Sequence, residues 1–370
     1  MIKRQAKKSI DYPLLLIVAA IILFGLIMLS SASTVTSFQR FDDPNWLFKR
    51  QLVSILVGLV AFFIVIRIDY HVWQRFSLLL LIISLALLIM VFVPGLGTEA
   101  FGAQRWIDFG GGISFQPTEI VKLTFLIYLA SWLEKRGRGI KDVSSGLLPF
   151  LVLLGLVTLL VMAQPDLGTM TIIGFTALIV YFVAGAPYKH MAAIIGTGLA
   201  LFTILVRIAP YRAARLTIYL NPELDPQGIG YHINQALLAI GSGGILGVGL
   251  GHSRQKFNYL PEAAGDSIFA IIAEELGFIV VSGLVLAFVF LLVRGFNIAR
   301  RSNDEFGRLL AVGITVWFVA QAFINIGALT GLLPLTGIPL PLISYGGSAM
   351  ILSMAALGVL LNISRHARTR

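Results

Sequence analysis

Pro13-Leu-Leu-Leu-Ile-Val-Ala-Ala-Ile-Ile-Leu-Phe-Gly-Leu-Ile-Met-Leu-Ser-Ser-Ala32 carries no charge and follows the basic residues Lys3, Arg4, Lys7 and Lys8. A helix of about 20 residues rises about 30 Å, the thickness of a bilayer's hydrocarbon core. Further apolar runs, separated by charged or turn residues, fall at 52–66, 76–94, 117–133, 147–163, 168–186, 190–209, 267–293, 308–330 and 342–362. The pattern predicts an all-α integral membrane protein of about ten transmembrane helices. The short second run and the glycine-containing sixth need tilt, bundle burial or flanking residues to complete a crossing. A basic start before an apolar run also has the form of a signal peptide. No small-residue cleavage site follows, so the run reads as an uncleaved first helix.

The whole-chain composition agrees. Of 370 residues 57% are apolar, only 28 are basic and 18 acidic, and the mean hydropathy is +0.89. No soluble core of this size absorbs that much apolar surface, so a soluble reading fails. The formal charge of +10 then marks membrane topology rather than nucleic-acid binding, and no nucleic-acid partner is expected. Cysteine is absent, which excludes disulfides, thiolate nucleophiles and cysteine-held metals.

With ten spans both ends lie on one side. Eighteen Lys and Arg fall at the termini and the even-numbered loops, nine in the odd-numbered loops, and Lys122 alone inside a span. Both termini are therefore expected in the cytoplasm, with residues 1–370 forming a single polytopic domain. Residues 209–266, between spans seven and eight, form the large extracytoplasmic loop, long enough to be functional. Within it, Gly230–Ile240 has helical spacing suited to a membrane interface, and the glycine-rich Gly241–Gly251 breaks the helix. That stretch lacks the Gly-Lys-Ser/Thr of a phosphate loop and reads as a flexible or re-entrant turn.

Charges within spans are costly and so carry functional hypotheses. Glu119 and Lys122, three apart on one helical face, are either a structural ion pair or part of a cavity. Glu274 and Glu275 point about 100° apart on a helix, so one can face a cavity while the other packs. Asp166, in the tight turn Gln164–Thr169, reads as a helix cap or a ligand-facing group, and Asp266 before Ile268–Ile272 has the same ambiguity. Arg105, Arg207, Arg212, Arg215, Arg254 and Lys256 lie on the outer side, against the topological trend. Together they suit an anionic substrate at the outer leaflet, whereas singly each is equally a solvated charge. Pro339 and Pro341 forbid regular helix between the last two spans, and broken backbone there suits a site wall that includes Ser344.

Seven motifs, in order along the chain, resemble the FtsW/RodA/SpoVE (SEDS) family. They are Gly102-Ala-Gln-Arg-Trp-Ile107, Gln116-Pro-Thr-Glu-Ile-Val-Lys122, Gln164-Pro-Asp-Leu-Gly-Thr169, Tyr211-Arg-Ala-Ala-Arg215, Leu260-Pro-Glu262 with Asp266, Ala273-Glu-Glu-Leu-Gly277 and Pro339-Leu-Pro-Leu-Ile-Ser-Tyr-Gly-Gly-Ser348. The resemblance implies a ten-span peptidoglycan glycosyltransferase that polymerises lipid II beside a class B penicillin-binding protein. It makes Asp266 the essential aspartate and general base, displacing the cap reading, and sets Arg105, Glu119, Lys122 and Asp166 around the central cavity. Gly247–Lys256 is more similar to division-type members than to elongation-type ones. One departure stands out: Ala264-Gly265 replaces the His-Thr common in the family before the aspartate.

The implied substrates are lipid II and undecaprenyl-pyrophosphate-linked glycan. Arg212, Arg215, Arg254 and Lys256, or a divalent cation such as Mg or Mn, suit the leaving pyrophosphate, and no covalent cofactor is expected. The implied setting is the bacterial cytoplasmic membrane, with its lipid and the division or elongation machinery as partners. Rival readings are a flippase or transporter of lipid-linked precursor, which buried Glu119, Lys122 and Glu274 would suit, and a noncatalytic scaffold.

Overall fold

The computed structural model describes residues 10–100, 103–108, 114–208, 217–219, 224–225 and 228–367. Each of the ten apolar runs overlaps a helix, although 91–94 and 342–346, expected within spans, are non-helical turns. In chain order the helices are α1 (Tyr12–Ala32), α2 (Thr34–Phe41), α3 (Trp46–Val65), α4 (Tyr70–Arg75), α5 (Ser77–Met90), α6 (Pro117–Arg136), α7 (Leu148–Ala163), α8 (Leu167–Val183), α9 (Tyr188–Ile208), α10 (Ile229–Gly243), α11 (Ile268–Arg301), α12 (Glu305–Leu329) and α13 (Gly347–His366). Among the described residues six stretches are long and apolar enough to cross a membrane: α1, α3, Val143–Ala163, α11, α12 and α13. Helices α5 and α8 are apolar but shorter.

Polar capping fixes several helix starts. Asp11 accepts from Leu14 N and Asp304 from Gly307 N, so free amides of the first turns are satisfied. Helix α3 begins six residues before the apolar run expected at 52–66. Its extra turns carry Lys49, Arg50 and Gln51, and the Arg50 guanidinium lies 4.6 Å from the Trp46 ring centre.

Helices α12 and α13 form the interior: 83% and 78% of their apolar windows are buried, against 28% for α3 and α11. A helix apolar all round and covered all round belongs at the bundle centre, while one with an exposed apolar face looks to lipid. Close crossings depend on absent side chains. A Cβ on Gly295 of α11 would stand 2.1 Å from Thr315 Oγ1 of α12, and one on Gly58 of α3 would stand 2.5 Å from Met354 Sδ of α13.

The chain is not helical throughout. Between α5 and α6 a small antiparallel sheet is built from β1 (Gly97–Ala100), β2 (Ala103–Asp108) and β3 (Ser114–Phe115), with Gly97 opposite Ile107 and Ile107 opposite Phe115. The all-α expectation missed it because its strands are too short to show a period of two.

Helix α10 packs against the bundle. His232 near the start of α10 meets Ser267, and Gly243 at its end approaches Ala273, so α10 runs alongside the first turns of α11 in the same direction. Helix α11 would be about 51 Å long if continuous. It is broken at Gly277, whose φ of 74° and ψ of −177° are open to glycine alone. The carbonyls of Glu274 and Glu275, which an unbroken helix would pair with residues 278 and 279, accept instead from Val248 N at 3.0 Å and Gly249 N at 2.9 Å. Phe278 N and Ile279 N donate to the Gly244 and Ile245 carbonyls at 2.9 and 3.3 Å. Segment 244–249 is thus spliced into the helix, which gives the predicted helix-breaking glycines a defined place.

Candidate functional site

Asp266 sits at the start of the short half of α11, one residue before the Ser267 N-cap position. Its carboxylate does not cap the helix; Oδ1 instead accepts from Ser267 Oγ at 3.3 Å. Burial removes the carboxylate from water and pushes its pKa up to about 6, against a weaker opposing pull from Ser267. A carboxyl so placed changes charge near neutrality, as a general base requires.

The backbone around Asp266 is gripped by the turn that precedes α13. Ser344 Oγ donates to the Gly265 carbonyl at 2.7 Å while accepting from Leu340 N at 2.8 Å, and Tyr345 N donates to the Ala264 carbonyl at 2.9 Å. Asn325 of α12 ties both strands of the grip, its Nδ2 donating to the Asp266 carbonyl at 2.6 Å and the Ile338 carbonyl at 2.8 Å. Gln51 of α3 closes the far side: Nε2 donates to the Ser344 carbonyl at 3.3 Å and Oε1 accepts from Gly346 N at 3.1 Å. Leu342 and Glu262, one on each side of the grip, hold φ of 68° and 49°. Such left-handed backbone at bulky residues costs on the order of 1–3 kcal/mol each and persists only where surroundings enforce it.

Other polar side chains surround the aspartate. Burial and the Asp266 charge raise the pKa of Glu262, partly offset by Arg40, whose guanidinium lies 4.0 Å away. His232 Nε2 lies 2.7 Å from Ser267 Oγ, and burial lowers the pKa of its imidazole. The Arg50 guanidinium lies close to the Tyr345 phenol.

Glu119 and Lys122 form a buried ion pair of 2.8 Å, with side chains 4% exposed. Lys122 Nζ also donates to Gln321 Oε1 at 3.2 Å and lies 4.9 Å from the Trp317 ring centre. Gln321 Nε2 donates in turn to the Pro339 carbonyl at 2.9 Å, so the pair braces the turn that grips Asp266. Among the described residues Glu119 Oε2 has no hydrogen-bond partner. Asp166 caps α8, accepting from Thr169 N at 3.0 Å and Thr169 Oγ1 at 2.8 Å. Arg105 of β2 holds the same turn through the Gln164 carbonyl at 3.0 Å and the Pro165 carbonyl.

The two adjacent glutamates both turn inward. Glu274 accepts from Ser253 Oγ and from Arg254 N at 2.9 Å, fixing the loop after the splice. Glu275 pairs with Lys256 Nζ at 2.9 Å and accepts from Ser31 Oγ at 2.7 Å. Lys256 is thereby committed to a buried ion pair, whereas Arg254 is exposed. Arg207 is exposed in the last turn of α9. Arg212 and Arg215 lie outside the described residues. No three His, Asp or Glu side chains converge among the described residues, so a divalent cation here would draw most of its ligands from substrate phosphates and water.

Sequence reasoning missed Asn325, Gln321, Gln51, Arg50 and His232. Polar amides within apolar helices were the available signal for the first two, because in lipid such groups need partners.

A family model described as "Cell cycle protein", for FtsW, RodA and SpoVE, matches residues 12–369. The chain is 45% identical to Stage V sporulation protein E of Bacillus subtilis (strain 168) over 98% of this chain and 99% of that protein. It is 42% identical to the probable peptidoglycan glycosyltransferase FtsW of Trichlorobacter lovleyi over 96% and 93% of the two chains. Among solved structures it superposes with TM-score 0.82 and 32% identity on a chain of a peptidoglycan synthase complex that coordinates polymerisation and crosslinking, covering 96% of this chain and 98% of that one.

Proposed function

This chain belongs to the FtsW/RodA/SpoVE family, and from that premise we propose that it is a peptidoglycan glycosyltransferase polymerising lipid II at the outer face of the cytoplasmic membrane, with Asp266 as general base. The observation that carries the role of Asp266 is a carboxyl raised to about 6 by burial on a backbone held by Asn325, Ser344 and Tyr345. In the reaction the acceptor sugar hydroxyl attacks the anomeric carbon of the lipid-linked donor. A C–O bond forms on one face, the bond to pyrophosphate breaks on the other, and Asp266 takes the hydroxyl proton.

Negative charge then accumulates on the departing undecaprenyl pyrophosphate, where cations lower the barrier. Arg254 is exposed for this task, Arg50 stands beside Tyr345, and Lys256 acts through the loop it holds. The proposed topology has ten crossings with both termini in the cytoplasm, which puts residues 209–266 and Asp266 outside. Septal wall synthesis is the proposed setting, with a class B penicillin-binding protein as partner. A structural relative that belongs to a complex coordinating polymerisation and crosslinking supports the partnership.

The test is purified protein, alone and with its partner, incubated with lipid II beside Asp266→Ala. Long glycan from wild type and none from the folded variant is the expected result. Equal product from both removes Asp266 from the chemistry, and lipid translocation without polymer favours a flippase.

A further inference from the structure

The side chain nearest to instructing Asp266 comes from a different element. Ser267 Oγ has three neighbours: the Pro261 carbonyl at 2.8 Å, Asp266 Oδ1 at 3.3 Å and His232 Nε2 at 2.7 Å. The hydroxyl has one proton, and the carbonyl and carboxylate can only accept. If His232 presented a bare Nε2, it would draw that proton away from both. The network therefore assigns the Nε2–H tautomer, with His232 donating to Ser267 and Ser267 donating toward Pro261 and Asp266.

Ser267 is 0% exposed, so no bulk solvent replaces a lost donor. The donated bond fixes the hydroxyl rotor, so that its one proton is shared between the Pro261 carbonyl at 2.8 Å and Asp266 Oδ1 at 3.3 Å rather than lost to the imidazole. We propose that His232 is a positioning residue for Asp266, acting through the Ser267 hydroxyl. This rests on the reading of Asp266 as base.

A second consequence follows from charge. The charged group facing His232 is Glu262, from the segment before α11, and Glu262 in turn faces Asp266 and Arg40 of α2. When His232 takes a proton at Nδ1 it still donates through Nε2. Burial confines that protonation to the acidic end of the range, and there the positive charge, one hydroxyl away, favours the ionised form of Asp266 and extends activity to lower pH.

The experiment uses the full-length protein with its partner and lipid II as substrate, measuring kcat, KM and the acidic limb of the pH profile. His232→Gln keeps a donor but cannot gain charge. Its plateau kcat should stay within about twofold of wild type while its acidic limb moves up by about half a pH unit. His232→Phe removes the donor and should lower kcat about tenfold with KM for lipid II unchanged. If the Phe variant fails to fold, the pH profile of the Gln variant decides the matter alone. Wild-type kcat, KM and acidic limb in every folded His232 variant, with Asp266→Ala inert, would overturn the role of His232 while leaving Asp266 in place. A wild type that makes no glycan would instead sink the polymerase reading itself.

Discussion

Lys256 and Glu275 meet across 2.9 Å with side chains 6% and 0% exposed, joining the loop after the splice to the last turn before the break in α11. Breaking a buried pair leaves one charge without its partner, which costs about 3–5 kcal/mol, whereas removing both costs much less. Lys256→Met and Glu275→Gln should each lower the thermal stability of the purified protein sharply. The Lys256→Met, Glu275→Leu double variant should recover part of the loss, and strictly additive losses would contradict the pairing.

Gly277 tolerates no side chain. A Cβ there would stand 2.3 Å from Gly247 N and 2.5 Å from the Ile245 carbonyl, and the φ of 74° is itself strained for any other residue. Gly277→Ala should destabilise the protein by about 3 kcal/mol or more, read as loss of folded material on size exclusion. Gly283, in the same helix with nothing within 4 Å of its added Cβ, is the control, and Gly283→Ala should be tolerated.

Asp266 is predicted to trade stability for activity. Its folded pKa of about 6 lies above the ordinary aspartate value of 3.8, so folding binds protons between these values. The stability associated with the protonated form is fully present below about pH 3.8 and is lost as pH rises through about 6. At pH 7.5 Asp266→Asn should therefore raise stability by up to about 3 kcal/mol while abolishing polymerisation. Wild-type activity should fall as pH drops through about 6, because a protonated carboxyl is no base. A melting temperature for the Asn variant below that of wild type at pH 7.5 would contradict the burial argument.

Asn325 makes a prediction that separates donor from acceptor. Its Nδ2 serves two buried carbonyls, at Asp266 and Ile338. Asn325→Asp keeps the shape but cannot donate to either, and Asn325→Leu leaves both unsatisfied, each lost bond costing about 1–3 kcal/mol. Both variants should lower kcat for glycan synthesis and soften the 337–345 turn, seen as faster amide exchange there. Unchanged exchange at Tyr345 would refute the coupling.

Much of this was legible before the structure, and the division has a physical basis. Most of every apolar run is helix because lipid leaves the backbone few alternatives, and the exception at 342–346 follows Pro339 and Pro341. The ion-pair alternative for Glu119 and Lys122 followed from helical spacing, and the cap for Asp166 from turn chemistry; both appear in the geometry. The question of which of Glu274 and Glu275 faces a cavity had no local answer, because their partners Ser253, Lys256 and Ser31 are fixed by tertiary folding. Asn325 and Asp266 are 59 residues apart and His232 and Ser267 are 35 apart, so no periodicity announces either contact. The position of Asp266 came from motif order, and its burial from the structure alone.

The splice in α11 has a mechanical corollary. A continuous helix transmits a push along its axis as a stiff rod, but here the rod is cut at Gly277 and splinted by 244–249. Load on the long half, 278–301, reaches the short half through the peptide chain at Gly277 and four hydrogen bonds borrowed from another segment, rather than through an unbroken ladder. Leu246, 78% exposed, lies on that splint, so whatever covers it touches the joint between the two halves directly.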